Sequence, residues 1–319
     1  MAAYVARRLL LAIPTIWGAT TLVFLVINVL PGDVASLILQ GTSGEGILMP
    51  YNLEVLRKEL GLDRPMYVQY FSWLGHVVTG NFGTSLWTGR DVFKEVIMRL
   101  PITLQIAFMG IFFGFVVGLP IGIISAIKQD KWPDYILRGF AILFLAIPTF
   151  WIGLMVIVLG ARYFHWNPPI GYYPLWEEPL RNVKQLIWPA LALASHDFAR
   201  VARMTRSSML EVLKEDYVRT ARAKGLGEWV VFLRHALRNS LIPVVTLMSV
   251  YFATSLGGTV VLENVFSVPG LGQLFYQSVR VKDFVMVQGL IFWLVTMFIF
   301  VNLFVDLLYG WLDPRISYK

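Results

Sequence analysis

The sequence predicts an all-α polytopic membrane protein with about six transmembrane helices, an external interfacial helical segment and a cytoplasmic helix, and three observations carry that expectation. Hydrophobic residues make up 57% of the 319-residue chain and charged residues 15%; the mean hydropathy of +0.64 is far above that of soluble domains. The apolar residues form runs of the length, about 20 residues, that a helix needs to cross the hydrocarbon core. Lysine and arginine gather between alternate runs, as in cytoplasmic loops, so the net charge of +7 points to a lipid membrane and away from nucleic acid. The chain has no cysteine, which removes disulfides and thiolate metal sites.

Residues 1–8 form a short N-terminus with Arg7 and Arg8. The run 9–30 is too long for a cleaved signal, lacks a small-residue cleavage site and ends in Leu30-Pro31-Gly32-Asp33, so it is read as a retained first span. In the external segment 31–100, Leu53, Leu56 and Leu60 recur at helical spacing between Asn52, a suitable N-cap, and Gly61, a suitable stop. After Pro65 the run MYVQYFSWLGHVV is aromatic and poor in charge, which suits a helix at the membrane interface, acting as a structural lid or as a docking surface for an external partner. The membrane domain, 101–309, carries further spans at 101–127, 135–161, 186–204, 239–262 and 284–309. The fourth is the weakest: it opens at Trp188-Pro189 and acquires His196, Asp197 and Arg200 before it should end. Arg7, Arg8, Lys128, Lys131, Arg138, the stretch Arg200 to Arg238, Arg315 and Lys319 all fall on one side. Both termini, including the tail 310–319, are therefore expected to be cytoplasmic.

Within the second span Gly110, Gly114, Gly118 and Gly122 repeat every fourth residue. Small residues at that spacing let another helix approach closely in lipid. Pro120 and Pro148 can add a kink used either for packing or for gating. Asp197 and Asp306 are ionisable groups in membrane segments and so candidates for a gate or pathway. Asp197 can equally be held by Arg200 at i+3, and Asp306 lies close to a cytoplasmic end. The four histidines share no metal-ligand spacing, and no phosphate loop or hydrolase motif is present. The chain is thus expected to have no catalytic residue, metal or cofactor of its own, with energy coming from an ion gradient or another subunit.

The cytoplasmic loop 205–238 is strongly patterned. Leu210, Leu213, Tyr217 and Ala221 step along one face, Gly225 can take the positive φ that ends a helix, and a second short helix is expected from Glu228 to Arg238. A short amphipathic helix, a turn and a second helix make a knob for a cleft; a solvated basic loop is the plainer alternative.

TARAKGL, from Thr220, followed downstream by LIP resembles the EAA loop of ATP-binding-cassette importer permeases, with Arg219, Thr220, Ala221 and Gly225 at the motif positions. Arginine stands for the family glutamate, threonine for the first alanine, and Pro243 lies later than the general pattern. ARMTRSSMLEVLKEDYVRTARAKGL, ENVFSVPGLGQL and VNLFVDLLYGWLDPRI, with the N-terminal RRLLLAIPTIWGATTLVFLVINVLPGD, extend the similarity to the B-type permeases of the dipeptide and oligopeptide importers, a family that includes nickel and glutathione systems. The resemblance implies a bacterial or archaeal cytoplasmic-membrane subunit working with a second permease, one or two cytoplasmic ATPases that bind ATP and Mg, and an external substrate-binding protein. It implies that Glu215, Asp216, Tyr217, Arg219, Thr220, Ala221, Arg222, Ala223, Lys224, Gly225 and Leu226 contact the ATPase. It also implies that Val268, Pro269 and Gly270 form an external turn near a gate. An ion-coupled secondary transporter is the alternative from another class.

Overall fold

A computed structural model describes residues 2–29, 54, 58, 63–85, 87–169 and 171–312. The helix expected around Leu53, Leu56 and Leu60, apart from the isolated helical positions Glu54 and Lys58, lies outside the described residues, as do Leu30 and the end of the C-terminal tail. The helices are α1 (Ala2–Val29), α2 (Met66–Val78), α3 (Val92–Ile127), α4 (Trp132–Ala146), α5 (Thr149–Phe164), α6 (Pro179–Val212), α7 (Asp216–Ala223), α8 (Leu237–Val265), α9 (Leu271–Arg280) and α10 (Phe284–Leu312). No strand occurs among the described residues, beyond an isolated bridge between Thr84 and Asp91. The chain divides into two units, one built from 102–269 with 301–319, the other from 2–101 with 270–300.

In the second of these units, α1 and α2 pack through aromatic rings. Phe24 meets Tyr70 edge-on at 5.3 Å and Trp73 at 5.6 Å, and the Thr21 and Tyr70 hydroxyls share a hydrogen bond of 2.7 Å. Tyr67 and Phe71 stay exposed on α2. A buried cluster of Val92, Val96, Leu271, Leu274, Met286 and Leu290 joins the start of α3 to α9 and α10. At the head of α10, Asp283 accepts hydrogen bonds from the Ser85 hydroxyl and from the Met286 N–H, capping the helix.

In the larger unit, α6 is the central helix. It buries Leu186, Ala190, Leu193, Ala194, Phe198, Ala199, Val201, Ala202 and Met209. The glycine ridge of α3 lies against it: a Cβ at Gly114 would stand 2.7 Å from Asp197 Cβ, at Gly118 2.5 Å from Phe198 O, and at Gly122 2.6 Å from Ala202 O. Absent side chains at these positions let two helix backbones touch, where dispersion across the seam holds them together. Phe140 and Phe144 of α4 pack on Phe198 at 5.6 and 5.0 Å.

Four helical segments among the described residues are long and apolar enough to cross a membrane: Ala6–Val26, Val92–Ile127, Glu228–Phe252 and Phe284–Val305. A fifth arises if α4 and α5 count as one broken span, bent by 97°. The single helix expected over 135–161 is therefore two. Pro148 has no N–H to continue the ladder and forces Ile147 into extended backbone, φ −86° and ψ 124°. The weakest expected span, 186–204, belongs to α6, which runs from 179 to 212 and is more polar than the other long helices for a physical reason. Packed by other helices, it pairs several of its polar groups within the protein: Asn182 donates to Tyr173 O at 2.8 Å, Gln185 to Gly171 O at 2.6 Å, and Ser208 to Ser240 O at 3.1 Å. The helix that contains the expected second span begins at Val92, nine residues before the span read from sequence.

Candidate functional site

The loop after α6 folds into a short, well-braced helix. Leu213 closes α6, the chain turns at Lys214 and Glu215, and α7 restarts with Asp216 in its first turn, an acid favoured by the helix dipole. At the other end Gly225 has φ +79°, its N–H donates to Arg222 O at 2.9 Å, and the Leu226 N–H reaches Ala221 O at 3.4 Å. These two bonds make a Schellman stop, which requires the left-handed residue that glycine supplies without a Cβ penalty. Arg222 donates to both carboxylate oxygens of Glu228, at 2.9 and 3.3 Å, bracing the turn from outside. Val218 and Ala221 face inward against Val231, with Val212 and Leu213 beside them.

The face left outward holds Glu215, Asp216, Tyr217, Arg219, Thr220, Arg222, Ala223, Lys224, Gly225 and Leu226. Arg219 lies 3.4 Å from Asp216, an exposed pair of little energetic weight. The expected apolar face through Leu210, Leu213, Tyr217 and Ala221 is corrected here. The break between α6 and α7 resets the helical phase, so Val218 is buried beside Ala221 while Tyr217 is 41% exposed, its hydroxyl accepting from Asn239 Nδ2 at 2.7 Å. The expected separate helix from Glu228 to Arg238 is also corrected. One α-turn at Glu228–Val230 passes into a π-helix at Val231–Ala236 and runs on into α8, with Pro243 inside it. An extra residue per turn in the π segment changes the direction in which the side chains of α8 point.

A second polar group lies inside the membrane unit. Asp197 is 2% exposed, 3.6 Å from Arg200, and accepts from the Ser255 hydroxyl at 3.3 Å. The Arg200 guanidinium stands 4.4 Å over the Tyr251 ring, a further attraction for its charge. Nε2 of His196 is 2.9 Å from the Ile147 carbonyl, the group freed where α4 breaks from α5. His196, Asp197 and Arg200 line a cavity of about 170 Å³ with Thr149, Thr254 and Gly258. That volume admits a few waters and not a peptide.

The other gate candidates fall elsewhere. Val268 is fully buried in the core with Ile102, Leu262 and Phe266. Its N–H bonds Glu263 O at 2.8 Å, closing a turn in which Ser267 holds φ 54°. Pro269 is partly buried, and Gly270 is buried as the N-cap of α9. Asp306 lies in α10, its side chain outside the described residues. Four buried acids escaped sequence reasoning: Glu95 and Asp283, and the two most deeply buried, Glu263 and Asp134. Glu263 is fully buried and accepts from the Thr103 hydroxyl at 2.7 Å. Asp134, also fully buried, takes two bonds from Arg206 and others from the Ser125 hydroxyl and the Asp130 N–H. A lone acid opening an apolar run was the available signal for Asp134. Among the described residues no group of three His, Asp or Glu side chains is placed to hold a metal.

This fold is that of the membrane subunit of an ABC transporter: the inward-facing structure of the MetNI methionine ABC transporter superposes with a TM-score of 0.55 at 19% identity, covering 69% of this chain and 96% of that one. The sequence places it more narrowly. Residues 118–318 match the family described as binding-protein-dependent transport system inner membrane component, residues 1–107 match its N-terminal companion, and the chain belongs to that family. It is 37% identical, over the whole of both chains, to the dipeptide transport system permease protein DppB of Alkalihalophilus pseudofirmus. It is 38% identical, over 99% of both chains, to the glutathione transport system permease protein GsiC of Escherichia coli. The chain is thus a multi-pass permease component of the inner membrane and not an enzyme. A free-standing secondary transporter is set aside.

Proposed function

We propose that this chain, with a second homologous permease, forms the translocation pathway of an ATP-driven importer of di- or oligopeptides. ATP and Mg are bound by one or two cytoplasmic partner subunits, and an external binding protein delivers the cargo. Both termini and α7 face the cytoplasm. The observation that carries the coupling role is α7 itself: a helix fixed from beneath by Val218 and Ala221, and locked at its end by Gly225, with Tyr217 and Leu226 among the side chains left outward. A rigid, exposed helix transmits a push; a flexible loop does not. Asp197, with Arg200 and Ser255, lines a cavity, and it is assigned to the pathway or its closure.

Peptide cargo rests on the names of the full-length relatives, and glutathione, itself a small peptide, is the second reading because one of them is a glutathione permease. A nickel chelate is the third. Uptake of a labelled dipeptide in a strain lacking this gene, restored by the gene and competed in turn by unlabelled dipeptides, glutathione and nickel, distinguishes the three. Competition by dipeptides alone supports the first reading, and failure of dipeptides to compete with restored uptake of either other cargo overturns it.

A further inference from the structure

We propose that a groove between α3, α4 and α6 binds the headgroup and upper acyl chain of one anionic phospholipid. The groove is a cavity of about 370 Å³ walled by apolar residues, among them Ile121, Leu137 and Leu145, with Arg138, Arg203 and Arg206 along it. Arg206 is already neutralised by Asp134. Arg138 and Arg203 are exposed and, among the described residues, meet no carboxylate. Two unpaired guanidiniums beside an apolar trough make a site for something anionic at one end and greasy along its length. Guanidinium groups bind phosphate through several donors at once, and basic pockets between membrane helices suit anionic lipid headgroups.

The surroundings favour lipid over protein as the occupant. Around the groove α4 exposes Trp132 and Tyr135 at its start and then Ile136, Ile142 and Leu143, an aromatic belt followed by an aliphatic face. Arg138 lies six residues past Trp132, about 9 Å along the helix, so the basic groups and the aromatic side chains lie within two turns of each other. The groove also abuts the end of α6 that leads into α7, so its occupant steadies the base of the exposed helix.

The test uses the purified full-length permease with its co-purifying subunits, reconstituted in nanodiscs and measured by native mass spectrometry. Phosphatidylglycerol is expected to be retained about tenfold more tightly than phosphatidylcholine, and the double variant Arg138→Gln/Arg203→Gln to lose that preference while keeping its melting temperature in phosphatidylcholine. Equal retention of the two lipids, or a preference unchanged in the double variant, overturns the proposal. So does displacement of phosphatidylglycerol by millimolar inorganic phosphate, which would mark a site for free anions. An Ile142→Cys variant that crosslinks to the second permease, and not to a lipid-borne probe, would likewise overturn it by filling the groove with protein. Because uptake is not the readout, failure here leaves the transport assignment standing and the reverse also holds.

Discussion

The Arg206 guanidinium grips the Asp134 carboxylate with two parallel hydrogen bonds, Nε to Oδ1 at 2.8 Å and Nη2 to Oδ2 at 2.7 Å, tying α4 to α6. Removing one partner strands a desolvated charge, and the Ser125 and Asp130 donors lose their acceptor as well. Asp134→Ala is expected to destabilise the protein by about 3 kcal/mol. Asp134→Leu combined with Arg206→Met is expected to recover most of that loss, because no charge is then left unpaired. Thermal unfolding in detergent of the two variants checks the sign of the coupling.

Helix contact through the α3 glycines gives a graded expectation. A methyl group at Gly118 would run into the Phe198 carbonyl at 2.5 Å, backbone that cannot swing aside, whereas Gly139 has open space around its Cβ position. Gly118→Ala should cost about 2 kcal/mol through overpacking, and Gly139→Ala should be neutral or stabilise by about 0.5 kcal/mol through helix propensity. Equal melting temperatures for the two variants would count against the close seam.

Gly225 separates conformation from contact. No atom lies within 4 Å of the Cβ it lacks, so any cost of replacement comes from φ +79°. Gly225→Val is expected to strain or open the stop by about 1–2 kcal/mol, leaving the protein inserted but uptake uncoupled from ATP hydrolysis. Gly225→Asn, which tolerates left-handed backbone, should retain most of the uptake. Uptake and ATPase activity in proteoliposomes of the assembled transporter distinguish the two.

Thr103 holds the buried Glu263 carboxylate by a hydrogen bond of 2.7 Å. Thr103→Val removes that donor with little change of shape and is expected to destabilise by about 1.5–3 kcal/mol, the range for bonds to a charged group. Thr103→Ser should keep the bond and most of the stability. The melting temperatures of both variants provide the check.

Local signals made part of this structure legible in the sequence. Pro65 before an aromatic run marks the start of α2, which spans Met66–Val78, and the four-residue glycine spacing on α3 anticipates a close helix partner, which is α6. The Asp197–Arg200 pair is legible because both residues share one helix turn. Asp134–Arg206 is not, since its partners are 72 residues apart and meet only once α4 packs on α6. Val218 is missed in favour of Tyr217 when the periodicity is carried across Lys214 and Glu215, where the helix breaks and its phase starts again. Val268 is a gate candidate only through the family resemblance, and no local signal in the sequence shows that its side chain is buried with Ile102, Leu262 and Phe266.

Contact between α7 and the ATPase can be tested without competing thiols on this chain, because its sequence contains no cysteine. A single Ala223→Cys variant, exposed on α7, would be treated in native membranes with a short thiol-to-amine crosslinker, with Phe164→Cys as the exposed control near the end of α5. A crosslinked product containing the ATPase subunit is expected from position 223, diminished when nucleotide changes the state of the ATPase, and none from position 164. An active transporter in which position 223 reacts with the crosslinker yet never joins an ATPase would refute the coupling role of α7.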